Sequence, residues 1–219
     1  MNTTSRTRVD TKQNLIVSAL HLFADQGIDA VSMRTINSAA GARNASAVHY
    51  HFGSKLGIIE AVIDFVKAEL DEHRLPALAA LEERAAEGDV PSSREILWAA
   101  FHPYWIVNRT PEHGRASIRF LARLQTEMSP EIQRLLARDD SDVATRTDAL
   151  LARALPDLSD DIRRTRYVYA WSLMVHGFAG TGSWEVTALG DLRAPSGDVA
   201  LMRFFDYLVG GLEAPVTHP

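Results

Sequence analysis

Apolar residues recur every three or four positions along almost the whole chain, and this spacing predicts α-helices. The first apolar stripe lies in the segment 10–27, where its members are Ile16, Ala19, Leu20 and Phe23. A wider apolar face follows in the segment 54–73, with Ile58, Ile59, Val62, Ile63, Val66 and Leu70. No stretch of the sequence shows the alternation of apolar and polar residues that marks a half-buried strand. The pattern therefore predicts an all-α protein.

The same periodicity predicts helices along the rest of the chain, with breaks where caps, glycines or prolines stand. The predicted helices are 10–27, 33–40, 45–51, 54–73, 77–87, 94–108, 112–127, 130–155, 160–180 and 199–212. Proline is expected to end the fourth of these at Leu75-Pro76 and to kink or break the sixth at Pro103. An interruption is also expected over 139–142. The polar tail 1–9 is expected to be disordered when free, and 182–196 is expected to form a loop.

The stretch from Ser32 to Lys55 contains two short helices joined by a tight turn. Ser32 suits the N-cap of the first helix, because its hydroxyl can accept a hydrogen bond from a free backbone N–H. Gly41 stands where the chain must leave that helix, with a positive φ that glycine adopts without steric cost. Asn44 is expected to cap the second helix and Ser54 the next one. This pattern predicts a helix-turn-helix unit, whose second helix can enter the DNA major groove. The alternative is a helical hairpin that binds nothing.

The end of this stretch, AAGARNASAVHYHFGSK, resembles the DNA-binding domain of the tetracycline-repressor (TetR) family. In that family an Ala-Ala-Gly turn leads to an aromatic-His-Phe-x-(Ser/Asn)-Lys ending, which reads here Tyr50-His51-Phe52-Gly53-Ser54-Lys55. The first helix of the family ends in Phe-x-x-x-Gly, here Phe23-Ala24-Asp25-Gln26-Gly27. The resemblance covers residues 9–66. Two features depart from it: the turn from Gly41 to Phe52 is one residue longer than the commonest spacing, and Asn37 replaces a small apolar residue.

The resemblance implies two domains and the partners of a transcriptional regulator. Residues 1–54 are expected to form an N-terminal arm and a three-helix helix-turn-helix DNA-binding domain. Residues 55–219 are expected to form a helical domain that binds a small-molecule effector and makes a homodimer. The residues expected nearest the DNA bases are Arg43, Asn44, Ser46 and His49. Those expected to hold phosphates are Ser32, Arg34, Tyr50 and Lys55.

Aromatic residues cluster on 94–108 and again near 120 and 167–178, and they suggest a ligand cavity between helices. The candidate pocket residues are Trp98, Phe101, His102, Trp105, Arg119, Phe120, Trp171, Met174 and His176. The alternative is that these residues form ordinary core. Arg119 shares a helix face with Arg115 and Arg123, and the default interpretation of that face is a solvated one. An inward Arg119 would instead favour an anionic ligand.

The last two helices carry more apolar surface than one small body needs, which predicts a dimer interface formed as a four-helix bundle. The candidate interface residues are Ala170, Leu173, Gly177, Phe204, Phe205 and Leu208. The alternative is that these residues pack within one chain.

Composition changes this interpretation in two ways. The net charge of −5 is unusual for a DNA-binding protein, but it is unevenly distributed. Residues 1–55 hold six basic and three acidic residues, a net +3, so the remainder carries −8. A basic head on an acidic body suits a protein that presents one end to phosphate, although a chance excess is the alternative. The chain contains no cysteine, which excludes disulfides, thiol catalysis and Cys-ligated zinc.

Candidate enzymatic features are weak. His49 and His51 are two residues apart, a spacing that does not place both on one helix face for a metal. The segment 180–183 lacks the strand-turn-helix setting of a phosphate loop. No cofactor and no metal are expected, and the apolar runs are too short for a bilayer or a signal peptide, which predicts a cytoplasmic protein. The rival hypothesis is a helical small-molecule-binding protein or enzyme whose N-terminal helices contact a partner other than DNA.

Overall fold

A computed structural model describes residues 3–42, 44, 46–180 and 197–217, with side chains from residue 11 onward except those of residues 139 and 140. Every regular element in these residues is an α-helix, which confirms the predicted all-α class. The helices are α1 (Thr3–Gln26), α2 (Met33–Ala39), α3 (Ala47–Phe52), α4 (Lys55–Ala86), α5 (Ser93–Asn108), α6 (Gly114–Thr126), α7 (Pro130–Ala154), α8 (Asp160–Ala179) and α9 (Asp198–Glu213). None of these helices is long and apolar enough to span a membrane. The loop predicted over 182–196 lies outside the described residues.

The chain divides into two compact units. The first unit comprises Met1–Leu70 and Val107–Asp139, and the second comprises Asp71–Ile106 and Asp140–Pro219. This division reflects packing. The functional division expected between residues 54 and 55 stays a prediction.

The N-terminal helix begins earlier than its sequence pattern indicates. α1 starts at Thr3, so the prediction of a disordered segment 1–9 and of a helix start at Asp10 is wrong for the described residues. The segment 3–26 contains neither glycine nor proline. A helix that is already nucleated and packed can therefore extend toward the N-terminus without meeting a breaker, at little cost per residue.

Three predicted helix interruptions are absent. α4 continues through Pro76, α5 continues through Pro103, and α7 is unbroken over 139–142. A proline removes one backbone donor and costs about 3 kcal/mol in a helix interior. Leu70 and Leu78 are buried on either side of Pro76. Since full burial of one leucine contributes about 1.5–3 kcal/mol, packing on both sides offsets the cost of the proline.

The core of the first unit joins α1 to α6. Phe23 and Phe120 are fully buried, with ring centroids 6.1 Å apart. The guanidinium of Arg123 donates to the carbonyl oxygens of Ala24 and Asp25 at 2.7 and 3.0 Å. These carbonyls belong to the last turn of α1, which has no basic residue of its own and leaves its terminal carbonyls without helical partners. A side chain of α6 therefore caps the end of α1.

The core of the second unit is aromatic. Phe101 stacks on Tyr167 at 5.6 Å, and Trp105 lies 5.5 Å from Phe178. On α9, Phe204 covers Gly177 of α8, where an added Cβ would stand 3.1 Å from the Phe204 ring. The absence of a side chain at Gly177 therefore allows α8 and α9 to approach closely.

Candidate nucleic-acid interface

Helix α2 is bounded at both ends by the residues that the sequence suggested. The Ser32 Oγ accepts a hydrogen bond from the backbone N–H of Thr35 at 3.1 Å, as expected of an N-cap. Gly41 has φ 61°, the left-handed conformation expected there. The N–H of Gly41 donates to Ser38 O, and that of Ala42 donates to Asn37 O, the two bonds of a Schellman motif. The turn between the two helices is therefore fixed by backbone hydrogen bonds.

Helix α3 begins at Ala47, two residues later than predicted. Asn44 does not cap it directly: the Asn44 Oδ1 accepts from the N–H of Ser46 at 2.9 Å and so organises the turn before the helix. Ser46 occupies the N-cap position, but its side chain makes no capping hydrogen bond. Residues 43 and 45 lie outside the described residues, so the placement of the candidate base contact Arg43 stays a prediction.

The outer face of α3 is uncovered. Ala47 and Val48 are buried on the inner side of α3. Ser46 and His49 are exposed, and Tyr50 is 65% exposed. A short helix with one buried apolar side and one free polar side can present hydrogen-bonding groups to base edges. This exposure agrees with the expectation from the sequence.

The entry to α4 brings a cation next to this helix pair. The Ser54 Oγ accepts from the N–H of Gly57 at 3.0 Å, which confirms the predicted cap. The Lys55 Nζ donates to the carbonyl oxygen of Asp29 at 3.2 Å and is thereby held beside the loop before α2. Arg34, in the first turn of α2, is exposed. Ser32, Arg34 and Lys55 thus supply a hydroxyl and two cations from the starts of two helices, a chemistry suited to phosphate.

Two residues of this region were missed as site candidates. Lys12 of α1 is exposed, with its Nζ 5.9 Å from the centroid of the Phe52 ring, and it places a further cation beside α3. Thr35 is exposed, and its hydroxyl lies 2.8 Å from the Ser32 Oγ. Neither could be identified from the sequence beyond its residue type, because both depend on how α1 and α2 fold around α3.

The paired helices α2 and α3, with a fixed turn and an exposed polar face on the second helix, define a helix-turn-helix DNA-binding protein. Residues 15–62 match the family model of the bacterial regulatory proteins of the tetR family. Residues 98–211 match the tetracyclin repressor-like C-terminal domain. The chain belongs to the TetR family of transcriptional regulators.

Solved structures of regulators share this fold. A transcriptional regulator from Rhodococcus sp. Rha1 is 16% identical, with a TM-score of 0.61 over 91% of this chain and 94% of its own. A TetR family regulator from Marinobacter aquaeolei VT8 is 20% identical, with a TM-score of 0.59 over 94% and 97% of the two chains. A putative TetR family regulator from Shewanella sp. PV-4 is 17% identical, with a TM-score of 0.57 over 90% and 97%. The sequence matches no curated protein.

Seven of the nine candidate effector residues lie in the second unit: Trp98, Phe101, His102, Trp105, Trp171, Met174 and His176. Trp98 stacks on His102 with centroids 4.3 Å apart. Burial lowers the pKa of His102, and the nearby His73 lowers it further. The Trp171 Nε1 donates to the Tyr104 hydroxyl at 3.2 Å. Phe101 and Met174 are buried, whereas His176 is exposed.

The other two candidates, Arg119 and Phe120, lie in the first unit. Arg119 is exposed and donates to the Asp25 carboxylate at 2.6 Å. This position agrees with the default interpretation of a solvated face, and the alternative of an inward guanidinium does not hold. Phe120 is fully buried against Phe23 as part of that unit's core.

One buried polar network of the second unit was not anticipated. Arg74 is almost completely buried and pairs with Asp71 at 2.5 Å. It also donates to the Tyr104 hydroxyl at 3.4 Å, the same hydroxyl that accepts from Trp171. The sequence placed Arg74 near the end of a helix and gave no reason to expect it inside. Among the described residues no group of three His, Asp or Glu side chains is placed to hold a metal ion.

The candidate dimer residues divide into buried and exposed groups. Ala170, Phe205 and Leu208 are buried within a single copy of the chain. Gly177 lies beneath Phe204, whereas Leu173 is 46% exposed. Further exposed apolar side chains lie on the same two helices, α8 and α9: Val168, Tyr169, Val199, Met202 and Tyr207. The buried members agree with the intramolecular alternative, and the exposed set leaves apolar surface for a partner.

Proposed function

We propose that this chain is a homodimeric repressor that binds a partly palindromic DNA operator and is released from it by a small-molecule effector. The observation that carries the proposal is the exposed polar face of α3, seated by its buried Val48 in a helix-turn-helix of the TetR family. A regulator of transcription acts where the DNA is, which places the protein in the cytoplasm.

In this proposal α3 enters the major groove and reads bases with Ser46 and His49, while Asn44 and Arg43 approach from the preceding turn. Ser32, Arg34, Tyr50 and Lys55 hold phosphates and so fix the register of the protein on the duplex. The Tyr50 side chain is exposed and that of Lys55 is half-exposed in the described structure, as this role requires.

The proposed dimer uses the outward faces of α8 and α9. Tyr169 and Leu173 on α8, with Met202 and Tyr207 on α9, would meet their symmetry mates in a four-helix bundle. In a two-fold dimer the same patch on both copies is self-complementary. Two copies of α3 would then read half-sites about 34–36 Å apart or a multiple of that spacing.

The proposed effector site lies among the aromatic side chains of the second unit. Stacking surfaces such as Trp98 and His102, together with the Tyr104 hydroxyl, suit an aromatic or partly apolar molecule with a few polar groups. The effector must bind the DNA-free state more tightly than the DNA-bound state, because equal affinity for both states shifts no equilibrium.

The test is direct binding to DNA at two salt concentrations. Selection from a random DNA pool provides an operator. Fluorescence anisotropy then measures the dissociation constant of the protein–operator complex at about 50 and about 200 mM salt. The regulator should lose affinity by about 10³-fold or more if six or more phosphates are contacted by a dimer. Absence of any salt-dependent DNA affinity would reject the proposal in favour of a helical small-molecule-binding protein or enzyme.

A further inference from the structure

Asn37 is a buried polar residue at the centre of the helix-turn-helix. It lies in α2 and is 5% exposed. The backbone N–H of Val48, in the first turn of α3, donates to the Asn37 Oδ1 at 3.0 Å in a buried setting. A backbone N–H can only donate, so the amide oxygen must face it. The side chain of one helix therefore accepts from the start of the next.

Helix α3 needs this acceptor because its own flank does not supply one at Val48. The first N–H groups of a helix have no partners within the helix. Here the N–H of Ala47 donates to the Asn44 carbonyl, and that of Tyr50 donates to the Ser46 carbonyl. Ser46 stands at the N-cap, where serine normally accepts from the second or third residue, but its side chain makes no such bond. The Asn37 amide serves the Val48 N–H instead.

The same residue also fixes the turn. The backbone carbonyl oxygen of Asn37 accepts from the backbone N–H of Ala42 at 3.0 Å, one of the two bonds of the Schellman motif. Asn37 thus bonds to the chain where it leaves α2 and again where it enters α3. The two departures from the usual family pattern, a longer turn and a polar residue at 37, meet in this one residue.

We propose that Asn37 is a positioning residue for DNA reading: it caps α3 from α2 and so sets the direction in which His49 and Tyr50 point. This inference rests on the proposed function for its consequence at DNA, but its structural half is independent of DNA. The exposed α2 residue Ser38 provides a matched control, because its side chain faces solvent one position further along the same helix.

The first experiment measures backbone amide hydrogen exchange by NMR in the free protein. Asn37→Ala leaves the buried Val48 N–H without an acceptor and should speed exchange of that amide by about ten-fold or more. Asn37→Asp keeps an acceptor near a helix N-terminus and should restore protection to within about three-fold. Amides of the α1 core, such as Leu20, and all amides of Ser38→Ala should change by less than about two-fold. Unchanged protection of Val48 in Asn37→Ala would overturn the proposal.

The second experiment compares dissociation constants for the selected operator and a scrambled duplex, corrected for the active fraction. Asn37→Ala should lower the ratio of specific to non-specific affinity by about ten-fold, since a misdirected α3 loses base contacts while phosphate contacts persist. Asn37→Asp should recover most of the ratio. General destabilisation would reduce the active fraction without altering the ratio, and that result would overturn the positioning role.

The two experiments separate this inference from the proposed function. If the wild type binds no DNA, the regulator is rejected while the exchange of Val48 still tests the cap. If the wild type binds an operator and Asn37→Ala shows the same ratio of specific to non-specific affinity, the proposed regulator stands and the positioning role of Asn37 is rejected.

Discussion

Arg123 donates to the carbonyl oxygen of Ala24 at 2.7 Å, so α6 caps the last turn of α1 across a separation of almost a hundred residues in the sequence. The second nitrogen of the same guanidinium bonds to the carbonyl of Asp25 at 3.0 Å. Since α1 supports the helix-turn-helix, this cap stabilises the scaffold on which α3 is mounted.

Arg123→Ala should therefore lower the free energy of unfolding by about 1–2 kcal/mol, because two carbonyls lose a charged donor. Urea denaturation followed by circular dichroism measures the change. Arg115→Ala is the matched control: Arg115 is exposed on the same helix, and its removal should cost less than about 0.5 kcal/mol. Equal losses in the two variants would contradict the capping role.

Two substitutions near α3 should affect DNA binding in different ways. Lys55→Ala should weaken binding to all sequences and reduce the slope of log affinity against log salt by about 1, since one phosphate contact is lost. His49→Ala should change the preferred base at one operator position and leave the salt slope close to wild type. Parallel binding-site selections and salt titrations distinguish them. Identical selected motifs for wild type and His49→Ala would refute the assignment of His49 to a base.

Acid should weaken the start of α5 through Glu95. The hydrogen bond from Arg84, followed by those from Ser92, lowers the pKa of Glu95 from about 4.5 to about 2. A carboxylate with a depressed pKa contributes stability at pH values above its unfolded pKa, and this contribution is lost as the pH falls from about 4.5 toward 2. Because the pair is largely exposed, solvent screening limits the effect to about 1 kcal/mol or less.

Glu95→Gln preserves the reciprocal capping geometry with Ser92 but removes the charge. The variant should be less stable than wild type at pH 7, and the difference should shrink as the pH approaches 2.5. Chemical denaturation at several pH values measures it. A difference that stays constant with pH would show that the ionised carboxylate of Glu95 contributes nothing.

The apolar faces of α8 and α9 should control assembly. Leu173→Glu would place a charge at the centre of the proposed interface and should raise the dimer dissociation constant by at least about 100-fold. Sedimentation at micromolar concentration measures the shift toward monomer. Met128→Glu is the control, since Met128 is 88% exposed between α6 and α7 and belongs to the first unit. A wild type that is already monomeric would reject the proposed dimer.

The features that the sequence predicted well are those with local causes. Ser32 and Ser54 cap helices because the acceptor and the donor are three residues apart, and Gly41 adopts the left-handed conformation because the turn requires it. The start of α3 was predicted two residues early because asparagine and serine are both favoured at N-cap positions, so residue type alone does not distinguish Asn44 from Ser46. In the structure neither caps α3 with its side chain.

The features that the sequence could not predict depend on partners far along the chain. Pro76 does not end α4, because buried residues on either side stabilise the continuous helix. Arg119 donates to the Asp25 carboxylate, and Arg74 donates to the Tyr104 hydroxyl, because folding brings distant segments of the chain together. Asn37 departs visibly from the family pattern in the sequence, but only the structure identifies its partner, the backbone N–H of Val48.

Helix α3 has six residues, far fewer than the about 12–15 that an isolated helix needs to persist in water. Its helical structure is stabilised by the burial of Val48 and by the hydrogen bond from the Val48 N–H to Asn37 of α2. A peptide cut from this region would consequently be an unstructured chain with no preference among DNA sequences.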